Sequence, residues 1–282
     1  MLQPESYIPK HPLLQKHIAY FYFLKTGSEK FESKYYAFPH TYTVLNIHRN
    51  ATFEFNEDAT QVFGAIGFKP VALVQGIRDF PMLVRLSGEI DKVTILFKPL
   101  GLNAFVDKPY SDEICSTNQF FKAWDDHADY KKFLKDFFNT SDQNSRADLL
   151  ENFLLSIYQS TQEIEPLHYA IDLLTDFEQN LSIDKICERL AIHVRTFNRL
   201  FRKHLGVSPV VYRKVARFRN SLEDSQQGKD FNRLAELAYK SNYFDQSYFN
   251  KIYRSLTGSN PKRFFNKIQS LANDRLVLQF LK

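Results

Sequence analysis

The feature that most constrains the fold of this sequence is an internal repeat near its C-terminus. Residues 197–202 (FNRLFR) recur as residues 249–254 (FNKIYR), and the spacing Gly-x-x-Pro follows soon after each copy. Upstream, the pair Ile-Cys at 186–187 matches the pair Leu-Ala at 237–238. Repetition of this kind indicates two copies of one supersecondary unit.

Each copy predicts a helix, a tight turn and a second helix. In the first copy, Ser182 is a suitable N-cap for a helix over 183–190, and a second helix is predicted over 194–203. In the second copy, Asp245 is a suitable N-cap for a helix over 246–254. The residues expected to form the cores and helix ends of the two units are Ile186, Cys187, Phe197, Phe201, Gly206, Pro209, Leu237, Ala238, Phe249, Tyr253, Gly258 and Pro261.

In the second helix of each copy, the residues outside the apolar stripe form a polar, basic face. These side-chain types suit the edges of bases in a major groove, because Arg pairs with guanine and Asn or Gln with adenine. A solvated helix face is the alternative, but it must then occur twice at matching positions of a repeated unit. The predicted DNA-binding residues are Arg195, Asn198, Arg199 and Arg202 in the first copy, and Gln246, Ser247, Asn250, Lys251 and Arg254 in the second.

The charge distribution agrees with this interpretation. Residues 181–265 hold 17 Lys and Arg against 7 Asp and Glu, whereas residues 1–180 hold 17 against 24. A basic module joined to an acidic one indicates that only the C-terminal module meets a polyanion.

The region 163–265 resembles the DNA-binding domain of the AraC/XylS family of bacterial transcription regulators. The stretch 242–249 (NYFDQSYF), followed by GSNP at 258–261, carries most of the resemblance. It implies seven helices, with a long helix over about 209–222 joining the two units, and recognition helices in successive major grooves about 34 Å apart. The residues it implies for base reading are Arg195, Asn198, Arg199, Gln246, Ser247, Asn250 and Lys251.

Two residues of the repeat depart from the pattern of that family. His193 stands where the family usually has a Ser N-cap, so a less firmly started first recognition helix is expected. Asn242 replaces the usual Gly, and Asn tolerates the left-handed conformation that a turn requires. The linker segment 218–222 also lacks the usual Ala, which leaves the relative orientation of the units open.

The N-terminal half predicts strands followed by helices. Strands are expected over 35–38, 42–48, 51–55, 71–75, 82–86 and 93–97, and amphipathic helices over 130–138, 146–158 and 167–177. Arg49 and Asn50 are expected to form the turn of a hairpin that joins the second and third of these strands. The spacing of the strands is typical of a small barrel or sandwich.

A looser resemblance links residues 5–155 to the sensory half of the same family, through segments 38–47 and 93–101. It implies a cupin-like β-barrel with helices, used for effector binding or dimerisation. The predicted fold class is therefore α+β, with this barrel at the N-terminus and an all-α domain of two helix-turn-helix units joined by a linker helix. The expected boundaries are 1–160 and 163–266, with a tail over 267–282 whose end, 271–282, is a short amphipathic helix candidate.

An enzyme is the alternative class, and the residues that would carry catalysis are scattered. His40 and His48 have no partner at metal-ligand spacing, Cys115 has no base nearby in sequence, and Cys187 lies on a helix stripe. No catalytic residue, metal site or cofactor is therefore expected, and no cofactor-binding residue is assigned. Two cysteines and the absence of an apolar span indicate a cytoplasmic protein with no membrane contact.

The sequence thus predicts a sequence-specific transcriptional regulator that responds to a small effector through its N-terminal domain. The expected partners are double-stranded DNA, RNA polymerase, a small-molecule effector and a second copy in a homodimer. The alternative left open is a DNA-binding regulator without ligand sensing, whose N-terminal domain only mediates oligomerisation.

Overall fold

The chain folds into a β-rich N-terminal part and an α-helical C-terminal part. A computed structural model describes residues 4–114, 118–160, 164–226, 234–243, 245–271 and 276–281. The strands within these ranges are β1 Ser6–Tyr7, β2 Ile18–Lys25, β3 Glu32–Ala37, β4 Thr43–His48, β5 Ala51–Phe55, β6 Ala59–Gly64, β7 Val71–Gln75, β8 Met82–Ser87, β9 Asp91–Phe97, β10 Asn118–Phe120, β11 Gln269–Leu271 and β12 Leu276–Phe280.

The strands form two six-stranded sheets. The first has the order β1-β2-β9-β4-β7-β10, and the second has the order β11-β12-β3-β8-β6-β5. The predicted α+β class is confirmed, but the described strands form two separate sheets in place of a closed barrel. Buried side chains from the inner faces of both sheets meet around a cavity, so the arrangement is that of a sandwich.

The hairpin predicted through Arg49 and Asn50 is wrong, because the two strands that it would join lie in different sheets. β4 already pairs with β9 on one side and β7 on the other. It therefore has no free edge to offer β5, which pairs with β6 instead. The chain crosses from the first sheet to the second at this point.

Helices cover the outer face of the first sheet. They are α1 Pro12–His17, α2 Tyr110–Glu113, α3 Ala128–Asn139 and α4 Gln143–Ser156, with a 3₁₀ helix over Gly101–Phe105. Aromatic residues of α3 and α4, such as Phe137 and Phe153, pack with Phe21 and Phe23 of β2 in one core. Arg146 of α4 makes a bidentate ion pair with Asp91 of β9, at 2.8 and 3.0 Å. We call the two sheets with these helices the sheet region.

The helices of the C-terminal part follow the predicted order. They are α5 Glu165–Thr175, α6 Ile183–Arg189, α7 Val194–Leu205, α8 Pro209–Gln226, α9 Leu234–Lys240, α10 Gln246–Thr257 and α11 Pro261–Phe265. Seven helices, the number implied by the resemblance, are thus found in this stretch of described residues. We call α6 with α7 the first unit and α9 with α10 the second unit, and α8 connects them.

The end of the chain returns to the sheet region. The amphipathic helix considered for 271–282 is wrong, because residues 276–280 form strand β12, which pairs with β3. Positions 272–275 and 282 lie outside the described residues. Successive side chains of β12 belong to different apolar cores. Val277 packs with the second unit, and Leu278 packs with Met82 and Leu86 of the second sheet. This alternation has the period of a strand.

Candidate nucleic-acid interface

The first unit is built around a small apolar core. Ser182 caps α6, because its Oγ accepts a hydrogen bond from Lys185 N at 3.2 Å. Ile186 and Cys187 point inward, and Phe197 and Phe201 of α7 are fully buried against them. Burial of these side chains fixes which face of α7 remains outside.

The second unit repeats this construction. Asp245 caps α10, because its Oδ1 accepts a hydrogen bond from Tyr248 N at 2.7 Å. Leu237 and Ala238 of α9 are buried, as are Phe249 and Tyr253 of α10. The hydroxyls of Tyr253 and Ser221 lie 2.7 Å apart, which attaches α10 to the linker helix α8.

The turns of the two units share one unusual backbone conformation. Ala191 has a φ of 52° and Asn242 has a φ of 56°, so both lie in the left-handed region. The residue after each one donates to a carbonyl of the first helix: Ile192 N to Cys187 O and Tyr243 N to Ala238 O, both at 3.0 Å. The left-handed conformation expected at Asn242 is confirmed, and the first unit reaches it with an alanine.

The ends of the two recognition helices also match. Gly206 and Gly258 are left-handed C-caps with φ of 76° and 73°. The next helix of each copy then starts with proline, after Ser208 in the first and Asn260 in the second. Ser208 Oγ accepts from Val211 N at 3.3 Å, and Asn260 Oδ1 accepts from Arg263 N at 2.9 Å. Pro209 and Pro261 are buried.

The predicted DNA-binding residues lie on the outer faces of α7 and α10. Most are exposed, whereas Asn198 and Asn250 are half-buried; the exposed ones are Arg195, Arg199, Arg202, Gln246, Ser247, Lys251 and Arg254. Asn198 Nδ2 donates to Val194 O at 2.9 Å, so its amide is held along the helix. Within the described ranges, none of the five exposed basic residues forms an ion pair with a carboxylate.

The helix starts differ between the units. His193, the N-cap residue of α7, makes no side-chain capping hydrogen bond, whereas Asp245 does. The weaker start expected for the first recognition helix is therefore present in the structure.

Both units contact the sheet region. In the first, the backbone carbonyl of His204 accepts from Asn103 Nδ2 at 2.9 Å, and α7 packs on α2. Next to the second unit, the ring of Phe264 of α11 meets that of Phe38 edge to face, 4.8 Å between centroids, and Phe38 belongs to the core of that unit. Between them, Lys214 of α8 pairs with Asp79 at 3.0 Å. The helical part thus contacts the sheet region through both units and through α8.

A cavity of about 90 Å³ lies between the two sheets. Tyrosines and aliphatic residues of both sheets line it, Val277 and Leu278 of β12 close one wall, and Arg219 reaches it from α8. Its lining also includes Arg78 and Lys92, which are 6% and 5% exposed. Sequence reasoning missed these three basic residues, since an isolated Arg or Lys carries no signal of whether it faces solvent or a cavity.

Of the histidines considered for a metal site, His48 is buried and His40 is half-buried. Burial, with Arg219 and Arg78 nearby, holds the pKa of His40 well below its usual range, and burial next to Lys92 does the same for His48. Among the residues that the structure describes, no group of three His, Cys, Asp or Glu is arranged to hold a metal ion. Cys115 lies outside them. No helix in the described part is long and apolar enough to cross a membrane.

Residues 186–267 match the family model of a helix-turn-helix domain, HTH_18. No curated protein matches the sequence significantly. Among solved structures, the chain is similar to ToxT from Vibrio cholerae, with 14% identity and a TM-score of 0.45 over 86% of this chain and 98% of that chain. It is also similar to the unsaturated fatty acid-bound wild-type ToxT of Vibrio cholerae strain SCE256, with 15% identity and a TM-score of 0.46 over 86% and 94%. Both recognition helices, α7 and α10, lie inside the range of the family match.

Proposed function

We propose that this chain, which carries an AraC-type helix-turn-helix DNA-binding domain at its C-terminus, is a sequence-specific transcriptional regulator that reads two half-sites. The recognition helices are α7 and α10, and each enters a major groove. The DNA-binding domain comprises residues 163–266 and the sensory domain residues 1–160, with position 163 outside the described residues. This function places the protein in the cytoplasm, where bacterial DNA lies.

One observation carries the proposal: the same polar, basic face is exposed at equivalent positions of two equivalent helices. The cores, turns and C-caps of the two units coincide, so α7 and α10 present these faces in the same local frame. Five exposed basic residues on these faces have no carboxylate partner within the described ranges. Basic side chains that carry no internal partner are free to meet phosphates and base edges.

The residues fall into two classes by position along each helix. Base reading is assigned to Arg195, Asn198, Arg199, Gln246, Ser247, Asn250 and Lys251. Arg202 and Arg254, one turn further toward the C-terminus, are assigned to the flanking phosphates, since recognition helices contact bases mainly through their N-terminal residues. The first class determines sequence preference, and the second determines mainly affinity.

The regulatory part of the proposal is that a small effector binds the sheet region and changes DNA binding. The cavity between the sheets supports this, because it adjoins Arg219 of α8, the helix that connects the units. RNA polymerase and a second copy of the chain are proposed partners. In the alternative function, the sheet region only mediates oligomerisation, and no small molecule then stabilises the protein.

Selection from a random pool of duplex DNA tests the DNA-binding function. The full chain should enrich two motifs about one helical turn apart. Arg199→Ala should relax base preference in one motif and Lys251→Ala in the other, each costing about 1–3 kcal/mol. Arg254→Ala should weaken all sequences alike and lower the salt slope by about one.

Lys132→Ala is the matched control, because it removes the same charge from an exposed position on α3, away from both units. It should change neither motif. Salt-sensitive binding without any enriched motif would contradict sequence-specific reading and leave only a basic, non-specific DNA binder.

A further inference from the structure

The linker helix α8 carries two arginines on the face that points away from the sheet region. Arg213 and Arg217 are one helical turn apart, so their side chains share one face of α8. On the other side of the helix, Arg219 donates to the carbonyls of Phe38 and Pro39 in the sheet region. Because each residue turns a helix by about 100°, Arg213 and Arg217 lie about 120° and 160° from Arg219.

Arg217 lies between the two units. Its Nη2 donates to Asn180 Oδ1 at 2.7 Å, and its Cζ lies 5.8 Å from the centroid of the Tyr243 ring. Asn180 stands two residues before Ser182, the N-cap of α6, and Tyr243 stands two residues before Asp245, the N-cap of α10. Arg217 and the base-reading start of α10 therefore lie on the same side of the protein.

This side of α8 faces the DNA when both recognition helices are in their grooves. The C-terminal end of α7 is held by the sheet region through the carbonyl of His204, so its N-terminal, base-reading end points away from that region. Two recognition helices in successive major grooves leave one minor groove between them, with a sugar-phosphate backbone on each edge. The 18 residues of α8 span about 27 Å, and Arg217 lies at the middle. The arginine pair is thus opposite the backbone between the half-sites.

The hydrogen-bond donors of this pair are largely without acceptors. Nε and Nη2 of Arg213 and Nε of Arg217 are buried and have no hydrogen-bond partner. Neither arginine forms an ion pair with a carboxylate of the described residues. Buried donors without acceptors cost free energy. Both side chains are only half-buried, so a change of rotamer brings these donors to an anion at the surface.

The two arginines also repel each other. Burial, followed by the charge of Arg217, lowers the pKa of Arg213. A negative group placed between the two guanidinium groups would remove this repulsion and supply the missing acceptors. The chemistry of the pair therefore favours an anion with several acceptor oxygens.

We propose that Arg213 and Arg217 together bind one phosphate of the DNA backbone, on the edge of the minor groove between the two half-sites. The proposal rests on the DNA-binding function proposed above and adds a third contact, which α8 itself makes. Because this phosphate stands at a fixed distance from both motifs, the contact also favours one spacing between them.

Salt titration of the full chain on its selected DNA tests this contact. Arg213→Gln should lower the salt slope by about one and weaken binding about fivefold to tenfold, with both motifs unchanged. The melting temperature of this variant without DNA should not fall, since Nε and Nη2 of Arg213 lose no partner. An unchanged salt slope would overturn the proposal.

Three further variants separate phosphate binding from a structural role. Arg217→Gln should lower the salt slope by about one, whereas Arg217→Lys retains the charge and should keep most of the slope. Lys214→Ala is the matched control, because it removes the basic residue next to Arg213 whose Nζ is already held by Asp79. It should leave the slope unchanged. Equal reductions of the slope in Lys214→Ala and Arg213→Gln would overturn the proposal, since any charge on α8 would then act alike.

Neutral methylphosphonate groups, placed one at a time between the motifs, locate the phosphate. One position should weaken binding of the unsubstituted chain about fivefold to tenfold. The same position should have little further effect on Arg213→Gln, because the contact is already lost. Equal sensitivity of both chains at every position would overturn the proposal. So would a preference for A·T pairs between the motifs that Arg213→Gln removes, because the arginine would then read the minor groove itself.

The selection from random DNA distinguishes a failure here from a failure of the proposed function. Two enriched motifs, with an unchanged salt slope in Arg213→Gln, support the regulator and overturn the contact of α8. Salt-sensitive binding without any motif, in which Arg213→Gln still lowers the slope, supports a phosphate contact by α8 and contradicts sequence-specific reading.

Discussion

The two helix-turn-helix units have the same backbone plan but differ in how well their own residues support it. The second unit has Asn in the left-handed turn and an Asp that caps its recognition helix. The first has Ala191 in that turn and His193, which forms no capping bond, at the helix start. Asn and Asp suit these positions through local hydrogen bonding and left-handed tolerance, whereas Ala does not.

The first unit compensates through contacts with the sheet region. Ile77 and Leu100 of that region belong to its apolar core, and Asn103 donates to the carbonyl of His204 at the end of α7. The ring of Tyr110 lies directly beside Gly206. Phe38 and Val277 of the sheet region also belong to the core of the second unit, so the difference lies in the recognition helices: α10 is capped by its own Asp245, whereas α7 lacks such a cap and has its end held by the sheet region. Four sets of substitutions test this difference.

The largest effect is expected at the paired C-cap glycines. A Cβ at Gly206 would lie 2.9 Å from Tyr110 Cε1, whereas a Cβ at Gly258 meets nothing within 4 Å. Gly206→Ala should therefore cost about 2–3 kcal/mol of unfolding free energy, and Gly258→Ala only the left-handed strain of about 1–2 kcal/mol. Urea unfolding measures both. Equal costs of the two substitutions would show that the end of α7 does not pack against Tyr110. In a Tyr110→Leu background, the difference between the costs of Gly206→Ala and Gly258→Ala should become smaller.

The N-cap of the second unit is expected to have the next largest effect. Asp245→Ala removes the acceptor for Tyr248 N, which should cost about 1 kcal/mol and weaken the half-site read by α10. His193→Ala is the matched change in the first unit, where no capping bond is lost. Urea unfolding and DNA binding measure both variants. Equal losses of unfolding free energy in Asp245→Ala and His193→Ala would contradict the difference in local support between the two units.

Ala191→Gly is expected to stabilise the first unit. The left-handed conformation costs a non-glycine residue about 1–2 kcal/mol, and glycine removes this strain. Part of the gain in stability is offset because glycine makes the unfolded chain more flexible. A net increase of about 0.5–1 kcal/mol in unfolding free energy is expected. Asn242→Gly, at the equivalent position, should gain less because Asn tolerates this conformation. A larger gain from Asn242→Gly would show that the first turn carries no strain.

The smallest effect is expected from His193→Ser, which supplies the missing N-cap acceptor. A gain of about 0.5 kcal/mol in unfolding free energy is expected, at the lower end of capping contributions. The half-site bound by α7 should be unchanged or slightly tighter, as measured by titration of the selected DNA. A loss of stability would indicate that the His193 side chain makes a stabilising contact that serine cannot replace.

Much of the helical part could be predicted because its signals are local. The repeat, Ser182 and Asp245 as N-caps, and Gly206 and Gly258 as helix ends all act within a few residues, and each lies in the structure where the pattern places it. The conformation of Ala191 could not be predicted in this way. Alanine carries no left-handed signal, and only alignment with Asn242 through the repeat would have indicated it.

The sheet region was harder to predict because strand partners are set by contacts distant in sequence. β2 was not identified from the sequence, since its run of nearly continuous apolar residues lacks an alternating pattern. The chain crossing after His48 also depends on which edges β7 and β9 already occupy. The charges of the candidate effector site were missed for the same reason, because the pairing of the sheets decides that Arg78 and Lys92 face inward.

The pairing of β12 with β3 has a consequence for how the protein forms during synthesis. Ala37 of β3 leaves the ribosome long before its partner Leu278, with both helix-turn-helix units translated in between. Until β12 arrives, β3 pairs only with β8 and is an edge strand of the second sheet, and such edges invite pairing with other chains. A chain truncated before residue 276 keeps this side of β3 open, and we expect it to aggregate more readily than the full chain.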